Sequence, residues 1–585
     1  MGNSNDFSLW PFSHANKLIT HSLPAGNWRR QPAGTAIDNA KDGGHTIRQE
    51  SIAGTPADMF FSFPAKLQPY KLAAFVFLFA WYGFLLVRPV DLTHGDLGRH
   101  LKNGEIILAS VRAGESFRSL LDSNYYSYTF PDAPFVNHHW ASGLFFYLVW
   151  LAGGFNALTI AGALLSSAAF LFFFLAGGRQ AGFWPSAAAA FFLMPLIADR
   201  REVRPELFSY LFLGIVFSVL LAWHQARAKA WTLWTAAPLF GLWVNLHIYY
   251  IYGFALIGLF LAAAITERSR EKIRAVSLYL AGALAGGLIN PFGARMYLYP
   301  LQIMSHFGLP VNEMLPLHEA AAAGLDSARL KTFVISLVVF WLLYALNKIF
   351  AARGWPLVFF LIAAFFSATG WQMIRNLTMY GLIMLPLLAW ALRDTAGSLA
   401  RRLARPLRRR EFAAGGLAVV VLTAALNWGR LPAAGQAWGV GLNNDGHREA
   451  ALFLAQSNAA GPLFHDFDSG GYVIYYLFPQ WRPFVDNRPE AYPEDFLRNT
   501  YRPIRQDEAV WETALKDYDF QTILLSFKKK TGPAIPFIVR RLDDPAWAPV
   551  FVDDSFIIFA RRTPGQAALI GEYEIPRSRF DIREL

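Results

Sequence analysis

Asp91 and Asp96 stand five residues apart in a stretch that reads Asp91-Leu-Thr-His-Gly-Asp96-Leu-Gly-Arg99-His100-Leu-Lys102. A carboxylate beside apolar surface has its pKa raised toward neutrality and acts as a general base, so Asp96, and after it Asp91, are candidate catalytic groups. Leu97, Leu101, Leu108 and Val111 follow at helical spacing. They predict an amphipathic helix on a membrane surface, with Asp96 at its start, where simple helix capping is the other reading. Arg99 and His100 in its first turn are candidate binding groups. Further along comes Asn137-His138-His139-Trp140. Adjacent histidines cannot face one way on a helix or a strand, which makes them a poor metal pair. They serve either as interfacial anchors or, with Asn137, as binding groups. No metal or other cofactor is expected, with a divalent cation left open.

These groups sit in a chain of 585 residues that is 54% hydrophobic and only 16% charged, against roughly 25% charged in a soluble protein. That is a membrane composition. The net charge of +11 comes from Lys and Arg clusters between apolar runs, which reads as topology rather than nucleic-acid binding. The absence of cysteine excludes disulfides and thiolate chemistry. Residues 1–68 are polar and predict a disordered cytoplasmic tail. Apolar segments at 71–88, 155–177, 184–199, 205–223, 231–247, 248–265, 274–291, 332–349, 355–371, 376–393 and 412–428 predict about eleven transmembrane helices. Trp140 to Gly153 is too short to cross and predicts a helix in or on the external leaflet. With that segment not crossing, Arg179, Arg227 with Lys229, the basic residues of 266–274 and of 348–353, and the run Arg401 to Arg410 all fall on the cytoplasmic side. The N-terminus is then inside and the C-terminus outside.

The expected architecture is an α-helical polytopic membrane protein with a long first external loop carrying juxtamembrane helices, followed by a small soluble α/β domain. The boundaries are 1–68 for the tail, 69–428 for the membrane domain and 429–585 for the external, periplasmic domain. In the last, Thr522 to Phe527 and Phe556 to Ala560 read as strands, Arg448 to Gln456 and Asp507 to Lys516 as helices. Asp466, Asp468 and Asp486 read as turn residues at strand edges. Asp199-Arg200-Arg201-Glu202-Val-Arg204-Pro205-Glu206 places three Arg on the external side, where the topology rule disfavours them. Guanidinium groups hold phosphate in bidentate geometry, and Glu202 and Glu206 are too few to neutralise the cluster. Arg201 and Arg204, with Glu206, are therefore candidates for an anion site. His247 and the pair Arg375-Asn376, at other external helix ends, join them.

The string Gly95-Asp96-Leu97-Gly98-Arg99-His100-Leu101-Lys102-Asn103-Gly104 is similar to the Gly-Asp-Leu-Trp-Trp-His-Leu-x-x-Gly pattern of a bacterial group within the glycosyltransferase-C superfamily. Tyr128-Thr129-Phe130, Val136 to Trp140, Arg204-Pro205-Glu206-Leu207-Phe208-Ser209, Arg375-Asn376, Asp466 to Tyr472 and Phe484 to Arg488 match as well. The resemblance runs from about residue 71 to the end. It implies a membrane glycosyltransferase, inverting, that moves a sugar from a polyprenyl-phosphate-linked donor to an acceptor glycan, lipid or protein at the external face of a bacterial inner membrane. An Asp of the first loop is the implied base. Better-known members open the second loop helix with His-Pro-Pro-Leu, where this chain has His139-Trp140-Ala141-Ser142. A transporter or flippase of lipid-linked solutes is the first alternative, although no inverted repeat is visible. A non-catalytic scaffold in envelope polysaccharide assembly is the second.

Overall fold

The computed structural model describes residues 68–93, 95–304, 312–325, 327–350, 356–402, 438–443, 448–527 and 534–580. The membrane part is a bundle of α1 (Pro69–Leu86), α3 (Trp140–Ala181), α4 (Phe183–Ile197), α5 (Glu206–His224), α6 (Ala236–Leu246), α7 (Tyr250–Thr266), α8 (Arg270–Gly287), α9 (Ser327–Phe350), α10 (Leu357–Gln372) and α11 (Leu377–Arg402), with α2 (Leu97–Ala113) in the first loop. Hydrocarbon offers no partner to a backbone amide, so long apolar runs satisfy themselves as helices. Five helices have the length and apolarity of a span, and α4, α7 and α10 are shorter apolar helices. This is coarser than the expected eleven. Ten expected segments coincide with helices, and 412–428 lies outside the described residues, as does the expected domain boundary at 428/429. The segment expected at 231–247 divides into a 3-10 turn, Ala230–Thr235, and the 11-residue α6.

Burial sorts the bundle into an interior and a rim. The span window of α11 is 89% buried and that of α1 only 22%; Val76 and Phe77 on α1, and Val338 and Leu342 on α9, point outward as a lipid-facing surface does. Gly153 and Gly154 leave helical backbone and divide α3 into Trp140 to Ala152 and Phe155 to Ala181. At the start of the first piece, Trp140 Nε1 donates to Asn245 Oδ1 at 2.9 Å and Ser142 Oγ to the Leu246 carbonyl at 2.6 Å. Past its end, Phe155 meets Tyr475 of the C-terminal domain.

The C-terminal domain holds a four-stranded sheet of β1 (Leu463–His465), β2 (Thr522–Ser526), β3 (Trp547–Val552) and β4 (Phe556–Arg561) in the order β1-β2-β4-β3. β1 runs parallel to β2, and the other pairs are antiparallel. Strand side chains alternate between two covered faces. Phe464, Ile523, Leu525, Ile557 and Phe559 meet Trp511 of α14 (Glu508–Tyr518) and Phe537 of α15 (Ala534–Leu542). Leu463, Leu524, Phe556, Ile558 and Ala560 meet Leu454 of α12 (Glu449–Gln456), Tyr472 of α13 (Gly470–Leu477) and Ile570 of α16 (Ala567–Tyr573). The expected strands and helices of this domain are present; β1, β3, α13, α15 and α16 are additional.

Candidate functional site

Helix α2 is positioned by its glycines. A Cβ on Gly98 would lie 2.5 Å from the Gly471 carbonyl oxygen of α13, and a Cβ on Gly104 would overlap the backbone of Gly143 in α3. The amphipathic stripe predicts a helix lying on lipid, but α2 is clasped between the short arm of α3 and the sheet domain. Leu97 and Leu101 are buried, Leu108 half-buried, and Val111 is 59% exposed. The glycine-bearing side permits the closest backbone approach, so other helices take it. Asp96 occupies the N-cap position, yet its carboxylate makes no capping hydrogen bond. It lies 3.9 Å from Arg99 Nη2 instead, which counts against the capping role.

Asp96 and Arg99 line a cavity of about 820 Å³ between the bundle and the sheet domain. Its other walls come from the loops predicted to share a side: His138 and His139 before α3, Glu202 and Arg204 between α4 and α5, and His247, Ile248 and Tyr249 between α6 and α7, with Ile251 and Tyr252 from the first turn of α7. Asn312 to Met314, and Met373 with Arg375 between α10 and α11, complete the bundle side. The sheet domain contributes Asp466, Asp468, Asn487, Glu490, Tyr501 and Arg505. Asp466 is also a turn residue, its Oδ1 accepting from the Ser469 amide at 2.8 Å.

Three imidazoles, His138, His139 and His247, line the cavity, and His100 packs behind them. Contrary to the divergence expected of adjacent histidines, the His138 and His139 rings lie 3.9 Å apart, because both residues sit in a turn where the alternation of a strand does not apply. His139 stacks on His247 at 5.1 Å and meets His100 edge-on at 5.5 Å. His100, His138 and His247 are buried and His139 is half-buried. Burial lowers His138 to about 4, with the bond to the Val136 carbonyl opposing and Arg99 and Arg375 adding to the shift. Burial also lowers His100, with Arg99 next in importance, and His139, with His138 and His247 next. A neutral imidazole cluster results. His247 Nδ1 is fixed 2.8 Å from Ser209 Oγ, which accepts from Trp243 Nε1 at 2.7 Å.

The arginines prove better paired than the local sequence implies. Arg200 Nη1 lies 2.9 Å from Glu313 and its Nε 3.2 Å from Glu206; Arg375 Nη2 lies 3.3 Å from Glu206; Arg204 pairs with Glu202 and, at 3.4 Å, with Glu313. Burial alone would raise the Glu313 carboxyl, but Arg200 and then Arg204 outweigh it and hold it well below the carboxylate range. The third carboxylate comes from a loop more than a hundred residues away in sequence, which is why Glu202 and Glu206 looked insufficient.

Of the predicted site residues, Asp96, Arg99, His138, His139, Arg204, His247 and Arg375 line the cavity. The others do not. Asp91 accepts from the amide and hydroxyl of Thr93, and Arg201 Nε donates to the Ala198 carbonyl at 3.3 Å. His100, Asn137, Glu206 and Asn376 are buried behind the wall; Asn137 Nδ2 donates to the Leu120 carbonyl and Asn376 Nδ2 to that of Thr369. Glu313 and Glu490 were not among the candidates, being single acidic residues in loops without a local pattern.

Neither a protein-family model nor a curated protein sequence matches the chain. Solved structures do. The archaeal oligosaccharyltransferase AglB from Archaeoglobus fulgidus, in complex with an inhibitory peptide and a dolichol-phosphate, aligns with TM-score 0.54 and 12% identity over 85% of this chain and 74% of that one. The arabinofuranosyltransferase AftD from Mycobacteria aligns with TM-score 0.50 and 15% identity over 85% of this chain and 42% of that one. The chain shares the fold of these two solved structures. It is a membrane protein in which a helix bundle and a sheet domain enclose a cavity lined by charged and apolar groups.

Proposed function

We propose that the protein transfers a sugar from a polyprenyl-phosphate-linked donor to an acceptor, with inversion, in the cavity that holds Asp96, Arg99, Arg204 and Arg375. The observation that carries this reading is one cavity joining a carboxylate to guanidinium groups at a face of a membrane bundle. A transferred sugar's anomeric carbon gains positive charge as its bond to phosphate breaks, and fixed charges aimed at both fragments stabilise that separation. Asp96 faces the sugar, and the acceptor hydroxyl gives its proton to a carboxylate of the cavity. Arg204 and Arg375 receive the departing phosphate, which displaces Glu313 from them. The dolichol-phosphate and peptide bound to AglB support a lipid phosphate and an acceptor for this fold. The basic clusters support a cavity on the periplasmic side of a bacterial inner membrane.

Lipid extracts from a deletion strain and its parent, compared by mass spectrometry, test the proposal. A polyprenyl-phosphate-linked sugar should accumulate in the deletion strain and disappear on complementation. Unchanged polyprenyl lipids would count for a scaffold, and accumulation of a lipid confined to the inner leaflet for a flippase.

A further inference from the structure

We infer that Glu490 takes the proton from the acceptor hydroxyl, so that the sheet domain supplies a catalytic group as well as a wall. The inference rests on the glycosyl-transfer reading above and names the carboxylate that acts as its base.

Glu490 belongs to a one-turn 3-10 segment, Pro489–Ala491, clamped on both sides by a single residue of the first loop. Asn124 Nδ2 donates to the Ala491 carbonyl at 3.0 Å, and Asn124 Oδ1 accepts from Arg488 Nη2 at 2.6 Å. Arg488 also grips Asp486 through Nε at 2.7 Å and Nη2 at 2.6 Å, and its guanidinium stands 4.7 Å over the Phe135 ring. Asn124, Asp486 and Arg488 are all buried. The backbone on either side of Glu490 is thus fixed while its side chain enters the cavity that Asp96 and Arg99 line.

Such a clamp has no evident structural use for a carboxylate at its centre. Glu490 takes part in no ion pair among the described residues, whereas Asp96 is engaged by Arg99. The charged and titratable groups that act on Glu490 are Asp96 and Arg99 from α2, Arg488 from its own turn, and Tyr299, which lies beside His138. Burial raises the carboxyl to about 7; its own backbone amide, Arg99 and Arg488 pull it down, and Asp96 pushes it up. A base poised at the working pH is close to the optimum for proton transfer.

In the step proposed, the acceptor oxygen attacks the anomeric carbon as its proton passes to the Glu490 carboxylate. The bond from that carbon to the phosphate oxygen breaks, and its electron pair leaves with the polyprenyl phosphate. Asp96 remains an anion facing the sugar, and the proton on Glu490 returns to water.

The full-length protein in detergent can be tested with the polyprenyl-phosphate-linked sugar fraction extracted from the deletion strain as donor and envelopes of that strain as acceptor. Release of polyprenyl phosphate is then followed by mass spectrometry. The wild-type kcat should rise with pH to a plateau, with a midpoint near 7. Glu490→Gln should lower kcat at least about 100-fold and abolish that limb, with binding of polyprenyl phosphate unchanged. Asp96→Asn should lower kcat but keep the limb. A Glu490→Gln protein with most of its activity and the same profile overturns the inference, as does a wild-type kcat that falls through pH 7. Should the Gln variant not fold, Glu490→Asp takes its place: reduced kcat with a shifted limb supports the inference, and a wild-type profile overturns it. A wild-type protein that releases nothing overturns the transferase reading, and the inference with it.

Discussion

At the scale of the residue, the site separates groups that touch the cavity from groups that hold them. Asn occupies a helix N-cap about as well as Asp but takes no charge, so Asp96→Asn separates fold from chemistry. Since Asp96 makes no capping bond, that variant should melt with the wild type while transfer falls at least about 100-fold; full activity would leave Asp96 a bystander. The imidazole cluster makes a second prediction. Because His138 is lowered to about 4, its contribution to stability is fully present above the free value of about 6.5 and is lost as pH falls from there toward 4, on the order of 3 kcal/mol. Detergent melting temperatures should therefore drop between pH 7 and pH 5, and less steeply in His138→Gln; equal slopes would remove the histidine from the account. Seven cavity residues were legible because they lie in short polar strings at the ends of apolar runs, where an ionisable group is conspicuous. Glu313 and Glu490 were not, since what marks them is the company brought by remote loops: three arginines for one, an enclosed wall for the other.

Among the elements, α2 shows what an apolar stripe does and does not say. Periodicity identifies the face that avoids water, but lipid and protein serve that face equally, and the Leu97 and Leu101 side found protein. The better signal was Gly98 and Gly104, six apart on α2, each meeting backbone across its contact. Gly98→Val should force α13 away from α2, lowering stability by about 1–3 kcal/mol, as overpacking does. Its activity should fall more than its melting temperature suggests, because Glu490 and Asp96 lie on opposite sides of that contact. Retained activity with a lowered melting point would show that the joint tolerates movement. Strands β2 and β4 were readable from their continuous apolar runs, while β1, three residues long, and β3, whose register shifts between Pro549 and Phe551, offer too little pattern to read.

For the molecule as a whole, the cavity is assembled from loops that hydropathy and charge had already assigned to a common side, together with a domain that follows the last helix. The arginine cluster is a property of that assembly: Arg200, Arg204 and Arg375 are balanced by Glu202, Glu206 and Glu313. An incoming phosphate competes with Glu313, which is the carboxylate of the three contributed by a separate loop. Glu313→Gln should thus tighten binding of polyprenyl phosphate about tenfold, near 1.4 kcal/mol, in a titration followed by native mass spectrometry; weaker binding would make Glu313 a scaffold for the arginines instead. The clamp at Asn124 carries a consequence in time. Its partner Arg488 lies 364 residues further along the chain, and at 5–20 residues per second a ribosome needs about 20–70 s to reach it. For that interval the first loop holds Asn124 and Tyr126 without the domain that will enclose them. A nascent chain halted before residue 488 should expose this loop to protease, and a chaperone would find its target there.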